Sequence, residues 1–234
     1  MDNLARPDVQ QDFGKSLIRY VAEKGSGNVA APLRKFLDDS HDTPALRASV
    51  KNIRPALIAD IAHFLCISHG RHPGIIDHAA TKIADDPARE WLIHAISGFA
   101  AERAFLNQLT VAAGPIARQK GQEKITALIG HQAKSFQMLA TSDRKGTAAG
   151  AAIAFVLDWQ NTRPLIDITA LSLGLEPTKI SLPEHPSSEI VANALASDTS
   201  KSRAMMFGAE QLLGQQRGLW QLIAARHTET VSQY

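Results

Sequence analysis

The chain has one cysteine, Cys66, among 234 residues. A lone thiol excludes an intramolecular disulfide framework and fits a reducing compartment. It sits in an apolar run, which favours a buried, inert thiol over a nucleophile. Aromatic residues are scarce at 6%, and Ala and Leu dominate the apolar set. That composition favours helix, because strands draw on Val, Ile, Tyr and Phe. No segment shows sustained period-two alternation, and no heptad pattern lasts long enough for a free coiled coil. The formal net charge is only +2, with both signs mixed and no dense basic block, so no nucleic-acid footprint is expected. The most apolar run, residues 148–157, is about ten residues long, whereas a membrane span needs about 20. Residues 1–11 carry no basic-then-apolar leader. The expectation is a soluble, cytoplasmic protein with no membrane or nucleic-acid partner. Also missing are a glycine-rich phosphate loop after a strand, a Gly-x-Ser-x-Gly elbow and a His-Glu-x-x-His pair. The first helices show no compact turn leading into a basic recognition helix.

What the chain does have is a run of amphipathic and buried helices. At 44% hydrophobic it can bury one sizeable core. Residues 8–24 form an amphipathic helix closed by Gly25-Ser26-Gly27. A shorter helix spans 29–38, and Thr43-Pro44 is a cap-plus-proline start for another that reaches about Asn52. Pro55 interrupts or restarts it, and 55–68 is apolar on almost every side, the mark of a buried helix. A loop at 69–74 leads to a short helix over 75–83. Asp86-Pro87 opens a helix that stops at Gly114-Pro115. Residues 116–141 follow, then 147–173, kinked or broken near Pro164 and ended by Gly174. Residues 175–187, with Pro177, Pro183 and Pro186, form an irregular connection to a short helix at 188–196. Thr199 caps a last helix to about Thr228. The pattern predicts an all-α fold: a single helical bundle of about five long helices plus short N-terminal ones. Residues 1–234 are read as one domain, with 1–53 as an N-terminal helical extension on a 54–229 bundle.

Nearly every long helix carries a polar residue on its apolar face. Trp91, Ala95, Phe99, Leu106 and Leu109 share one face at about 100° per residue, and Glu102 lies in the middle of it. Asp60 and His63, Gln132, Asp158 and Gln216 sit similarly. A carboxylate so placed costs several kcal/mol unless it is paired. Asp60 and His63 are the sharpest pair, at i and i+3 on one side of a helix. Di-metal carboxylate bundles use an acid-x-x-His pair of this spacing twice, with further glutamates. Here it occurs once, with Glu102 and Asp158 as further candidate ligands. The plainer reading is that Asp60 orients a buried His63, or that both face a partner helix. Arg163 or Arg103 can neutralise the acids, which makes the cluster a structural salt bridge. Small residues around Asp158 allow either close helix approach or a cavity. His69, His72 and His78 read as a solvated loop, which also suits the mouth of a pocket with Arg71 meeting an anion. Gln132 and Gln216 can hydrogen-bond across helices.

In architecture, such a bundle is similar to ferritin-like or haem-oxygenase-like proteins, by analogy of element count alone. The leading functional expectation is a binding or redox-type module with a polar pocket in its core. Asp60, His63, Glu102 and Asp158 line it, with His69, Arg71, His72, Gln132 and Gln216 as secondary candidates. The ligand is a small molecule or a divalent metal, or there is no cofactor at all. The alternative, from a different class, is a non-catalytic interaction protein, a homodimer whose buried polar residues fix helix register.

Overall fold

The computed structural model describes residues 12–37, 44–83, 86–116 and 122–228. Every regular element among them is helical. Helices α1 (Phe13–Lys24), α2 (Gly27–Ala30) and α3 (Arg34–Leu37) form the N-terminal segment, with a 3-10 turn at Ala31–Leu33. The five longest helices among the described residues are α4 (Pro44–His69), α6 (Asp86–Ala113), α7 (Gln122–Ala140), α8 (Thr147–Ser172) and α10 (Thr199–Thr228). Shorter α5 (Ile75–Lys82) and α9 (His185–Leu195) lie between them. The expected start of the first helix at residue 8 falls outside the described residues.

Helix α8 is the axis of the fold and touches every other helix among the described residues. Its first half, Thr147 to Leu157, is buried all round, as a helix with no charged residue before Asp158 must be. Its main partner is α10. The two backbones meet at glycines: a Cβ on Gly150 would lie 1.9 Å from the Met205 carbonyl oxygen, and one on Gly208 2.1 Å from that of Thr147. Ala151, one of the small residues on the Asp158 face, lies at this approach: its backbone N would be 3.2 Å from a Cβ on Gly208. Around this axis α4 packs on α6 and α7, and α1 packs on α9. The largest fully buried side chains include Trp159, Trp220, Phe64, Phe105, Phe136 and Phe155.

Helix ends follow local chemistry. Gly114 (φ 69°) and Gly174 (φ 72°) adopt the left-handed region just past α6 and α8, where a glycine has no Cβ penalty. Two expected breaks do not occur. Pro55 and Pro164 lie inside continuous helices. Both rings are exposed, so solvent can take the carbonyl each one frees. The proline-rich connection after α8 is pinned to the bundle. Gln160 Nε2 donates to the Pro183 carbonyl at 2.7 Å, and Arg163 Nη2 to that of Thr178 at 2.6 Å. Large exposed apolar side chains, including Ile93, Val111, Leu128, Met138, Leu171 and Ile190, are spread over four helices. No helix among the described residues is long and apolar enough to cross a membrane.

Candidate functional site

Of the polar residues expected in the core, Asp60, Glu102, Asp158 and Gln216 are buried and His63 and Gln132 are half-buried, and each has its own partner. Asp60, 2% exposed, accepts from Arg226 Nε at 2.6 Å and lies 2.9 Å from His227 Nε2. Both partners come from the end of α10. His63, three residues on, turns the other way: its Nε2 donates to the Gly114 carbonyl at 2.6 Å. An i, i+3 pair is about 60° apart around the helix, enough to reach two different neighbours. Glu102 accepts from Arg163 Nη1 at 2.7 Å and from Trp159 Nε1 at 2.8 Å. Burial raises its carboxyl above the usual range, opposed by the Trp159 hydrogen bond and the Arg163 charge. Arg163 also binds Asp167 at 2.9 Å and stacks on the Phe105 ring at 4.7 Å. Arg103 is taken by another acid, Asp77, at 2.9 Å.

Asp158 is fully buried and accepts the backbone N–H of Ser26 at 2.6 Å and its hydroxyl at 2.5 Å. Burial pushes its carboxyl up to about 6, against those two bonds and the charge of Arg217. Among the described residues no hydrogen bond or ion pair joins any two of Asp60, His63, Glu102 and Asp158. Nor does any group of three or more His, Cys, Asp or Glu gather where it could hold a metal ion. A helical wheel gives the direction of a side chain about its own axis, not the element that lies there.

The secondary candidates come from the end of α4, the loop after it, α7 and α10. His69 is not in a solvated loop. It is the last residue of α4 and only 4% exposed. Its ring packs against Phe136 and Phe155, both 5.0 Å away between centroids, and edge-on to Trp159 at 5.6 Å. Its Nε2 is 3.1 Å from Gln216 Oε1. Burial lowers its pKa to about 4, with the Gln216 bond opposing, so the imidazole is neutral near pH 7. Gln132 donates to the Gln215 carbonyl, one residue from Gln216. Arg71 and His72 are exposed, and His72 Nε2 stands 3.8 Å from Asp77.

Directly outside this group is a cavity of about 370 Å³, enclosed by the end of α4, the loop 70–74, the start of α5 and one face of α7. Its ionisable lining residues are Arg71, His78, His131 and Lys134, all basic. Ile67, Ile75 and Phe136 supply an apolar floor, and Phe136 is the same ring that covers His69. Ser68 also lines the cavity, and its Oγ is buried with no hydrogen-bond partner among the described residues. Two other cavities differ in kind. One of about 430 Å³ is lined by both signs, Arg163 and His185 with Asp167 and Glu184. The other, about 390 Å³, is lined by Lys82, Arg144, Lys145 and Lys201 with Asp143; Asp143 is bound to Lys82 at 2.7 Å.

Of the cavity's residues, Arg71 and the histidine-rich stretch stand out in the sequence. His131 and Lys134 do not. Both lie off the apolar stripe of α7 and read as ordinary solvated positions. Only the placement of α5 across from α7 makes them one wall of a concave site. Residues 38–230 match the sequence model of a family of unknown function, DUF6975. That stretch contains the whole cavity and leaves out α1 to α3. No curated protein and no solved structure matches the chain.

Proposed function

We propose that this chain, which belongs to the DUF6975 family of unknown function, is a small-molecule binding protein whose ligand is an organic anion held in the 370 Å³ cavity. One observation carries the reading: every ionisable side chain lining that cavity is basic, above an apolar floor. Ligand sites in bundles are typically concave, mostly apolar, of about 300–1,000 Å³, with a few convergent polar groups. Like charges around a concave surface focus a positive potential that draws in an anion. Arg71 offers a planar fork for carboxylate or phosphate oxygens, and Lys134 a point charge. The neutral His69 and the aromatic rings behind Phe136 give the site a rigid back wall. In this reading Asp60, His63, Glu102 and Asp158 hold the bundle together and the ligand does not touch them. The mixed-sign cavity is a weaker candidate, because Arg163 already serves Glu102, Asp167 and Thr178.

The test is titration calorimetry at low ionic strength with benzoate, octanoate and phenyl phosphate. Wild-type protein is compared with Arg71→Glu/Lys134→Glu, whose exposed positions leave the core untouched. The expected outcome is binding of about one equivalent that weakens with salt and falls at least tenfold in the variant, with helicity unchanged. Absence of binding by every anion, or equal binding by the variant, sinks the reading.

A further inference from the structure

Resting on that anion-binding reading, we infer that the ligand is amphiphilic: a carboxylate or phosphate-monoester head on a short apolar body, with the head at Arg71 and Lys134 and the body against Ile67, Ile75 and Phe136. Three features of the cavity lead there. The first is size. At about 30 Å³ per water molecule, 370 Å³ is the room of roughly a dozen waters. An inorganic anion would leave most of it to solvent. The second is the separation of chemistry. Arg71 and Lys134 are exposed at the rim, whereas Ile75 and Phe136 are buried at 6% and 1%. A ligand polar throughout would strand that floor in contact with polar atoms. No carboxylate lines the cavity to hold the magnesium that accompanies a nucleoside triphosphate.

The third feature is on α7. The lining residues Ala127, Gly130, Lys134 and Gln137 run along one face of that helix. At 1.5 Å per residue they span about 15 Å, so the site is elongated. At Gly130 the wall is open: a Cβ there would meet nothing within 4 Å. A larger side chain at this position extends into the cavity without displacing the fold. The unpaired Ser68 Oγ supplies one more polar contact within the enclosed part, suited to an ester or ether oxygen near the head.

The experiment uses the full chain and five probes: octanoate, octyl phosphate, acetate, inorganic phosphate and 1-octanol. Each is titrated into wild type, Gly130→Leu and Arg71→Gln/Lys134→Gln. Each buried methylene multiplies affinity by about fourfold, so about three of them give about sixtyfold. Octanoate or octyl phosphate should therefore bind at one site about sixtyfold tighter than acetate and phosphate. The tighter of the two identifies the head group. Gly130→Leu should abolish that binding with its melting temperature unchanged or raised, and the double variant should weaken it about tenfold. If acetate and phosphate bind as tightly as the octyl compounds, the amphiphile inference is overturned while the anion reading stands. If octanol binds as tightly as octanoate, the anion reading falls. If no probe binds, both fall.

Discussion

Ser26 donates both its backbone N–H and its hydroxyl to Asp158, one to each carboxylate oxygen, at 2.6 and 2.5 Å. The acid belongs to the central helix α8 and the serine to the joint between α1 and α2, 132 residues away. The fit is close: a Cβ on Gly25 would lie 2.5 Å from Asp158 Oδ1. Arg217 of α10 also donates to the carbonyl of Lys24 at this joint. The pairing ties the N-terminal helices to the bundle. Ser26→Ala removes a hydroxyl from a buried charge and should cost about 2 kcal/mol. Denaturant unfolding gives the size. Hydrogen exchange should show the loosening concentrated in 13–37, and uniform exchange would contradict it.

Asp158 and His69 make opposite contributions to the pH dependence of stability. Asp158 titrates at about 6 in the folded chain against an ordinary 3.8. Between those values the folded state holds a proton that the unfolded state has lost, so stability falls as pH rises, by roughly 3 kcal/mol. His69 titrates at about 4 against an ordinary 6.5. There the unfolded state holds the extra proton, so stability rises with pH by a similar amount. The two largely cancel between about pH 4 and 6. Glu102 and Asp167, both raised chiefly by burial, act on the side of Asp158. Urea midpoints across pH 4 to 7 should climb more steeply with pH in Asp158→Asn than in wild type. In His69→Phe they should decline. Parallel curves for all three proteins would refute the assignment.

Glu102 and Arg163 form a buried ion pair whose value is conditional. Their side chains are 1% and 4% exposed. Removing one partner strands a charge, so Arg163→Met should cost about 3–5 kcal/mol. Removing both should cost far less, and Glu102→Leu/Arg163→Met should recover most of that loss. A double-mutant cycle measures the coupling. Arg163 also fixes the 173–184 connection through Thr178, so limited proteolysis there should accelerate in both Arg163 variants and not in Glu102→Gln. Additive effects would mean that the two residues are energetically independent.

Glycines in the long helices should divide sharply on substitution by alanine. Gly208→Ala puts a methyl against the Thr147 carbonyl and Gly150→Ala puts one against that of Met205. Each should lose at least about 2–3 kcal/mol, because neither backbone can withdraw without parting α8 from α10. Gly130 and Gly214 have nothing within 4 Å of the added Cβ. There alanine should stabilise by about 0.5–1 kcal/mol through helix propensity. Thermal melts of the four variants decide it, and a common sign for all four would contradict the packing described.

Much of the local structure is legible in the chain itself. The Asp86-Pro87 start and Gly114-Pro115 stop bracket α6 at Asp86–Ala113; at α10 the cap is Asp198 and not the expected Thr199, because the Asp198 Oδ1 accepts the Lys201 N–H at 2.8 Å. Such signals act within one helical turn, so they survive without knowledge of the fold. The burial of Asp60, Glu102, Asp158 and Gln216 also follows from their place on apolar faces. Neither Pro55 nor Pro164 ends its helix, because the tendency of proline to break a helix yields where its ring faces solvent.

The sequence by itself therefore determined which segments are helical and that Asp60, Glu102, Asp158 and Gln216 must be covered, but not that His69 is. It determined neither partners nor cavities. Arg226 meets Asp60 across 166 residues of chain, Arg163 meets Glu102 across 61, and the charge of Arg71 shares a cavity with that of Lys134 only because α5 lies across from α7. Periodicity fixes an angle about one helix axis. The distance between axes is set by side-chain volume where helices cross, as at Gly150 and Gly208. Only the assembled bundle decides where a buried acid finds its base and where a concave basic surface is left open.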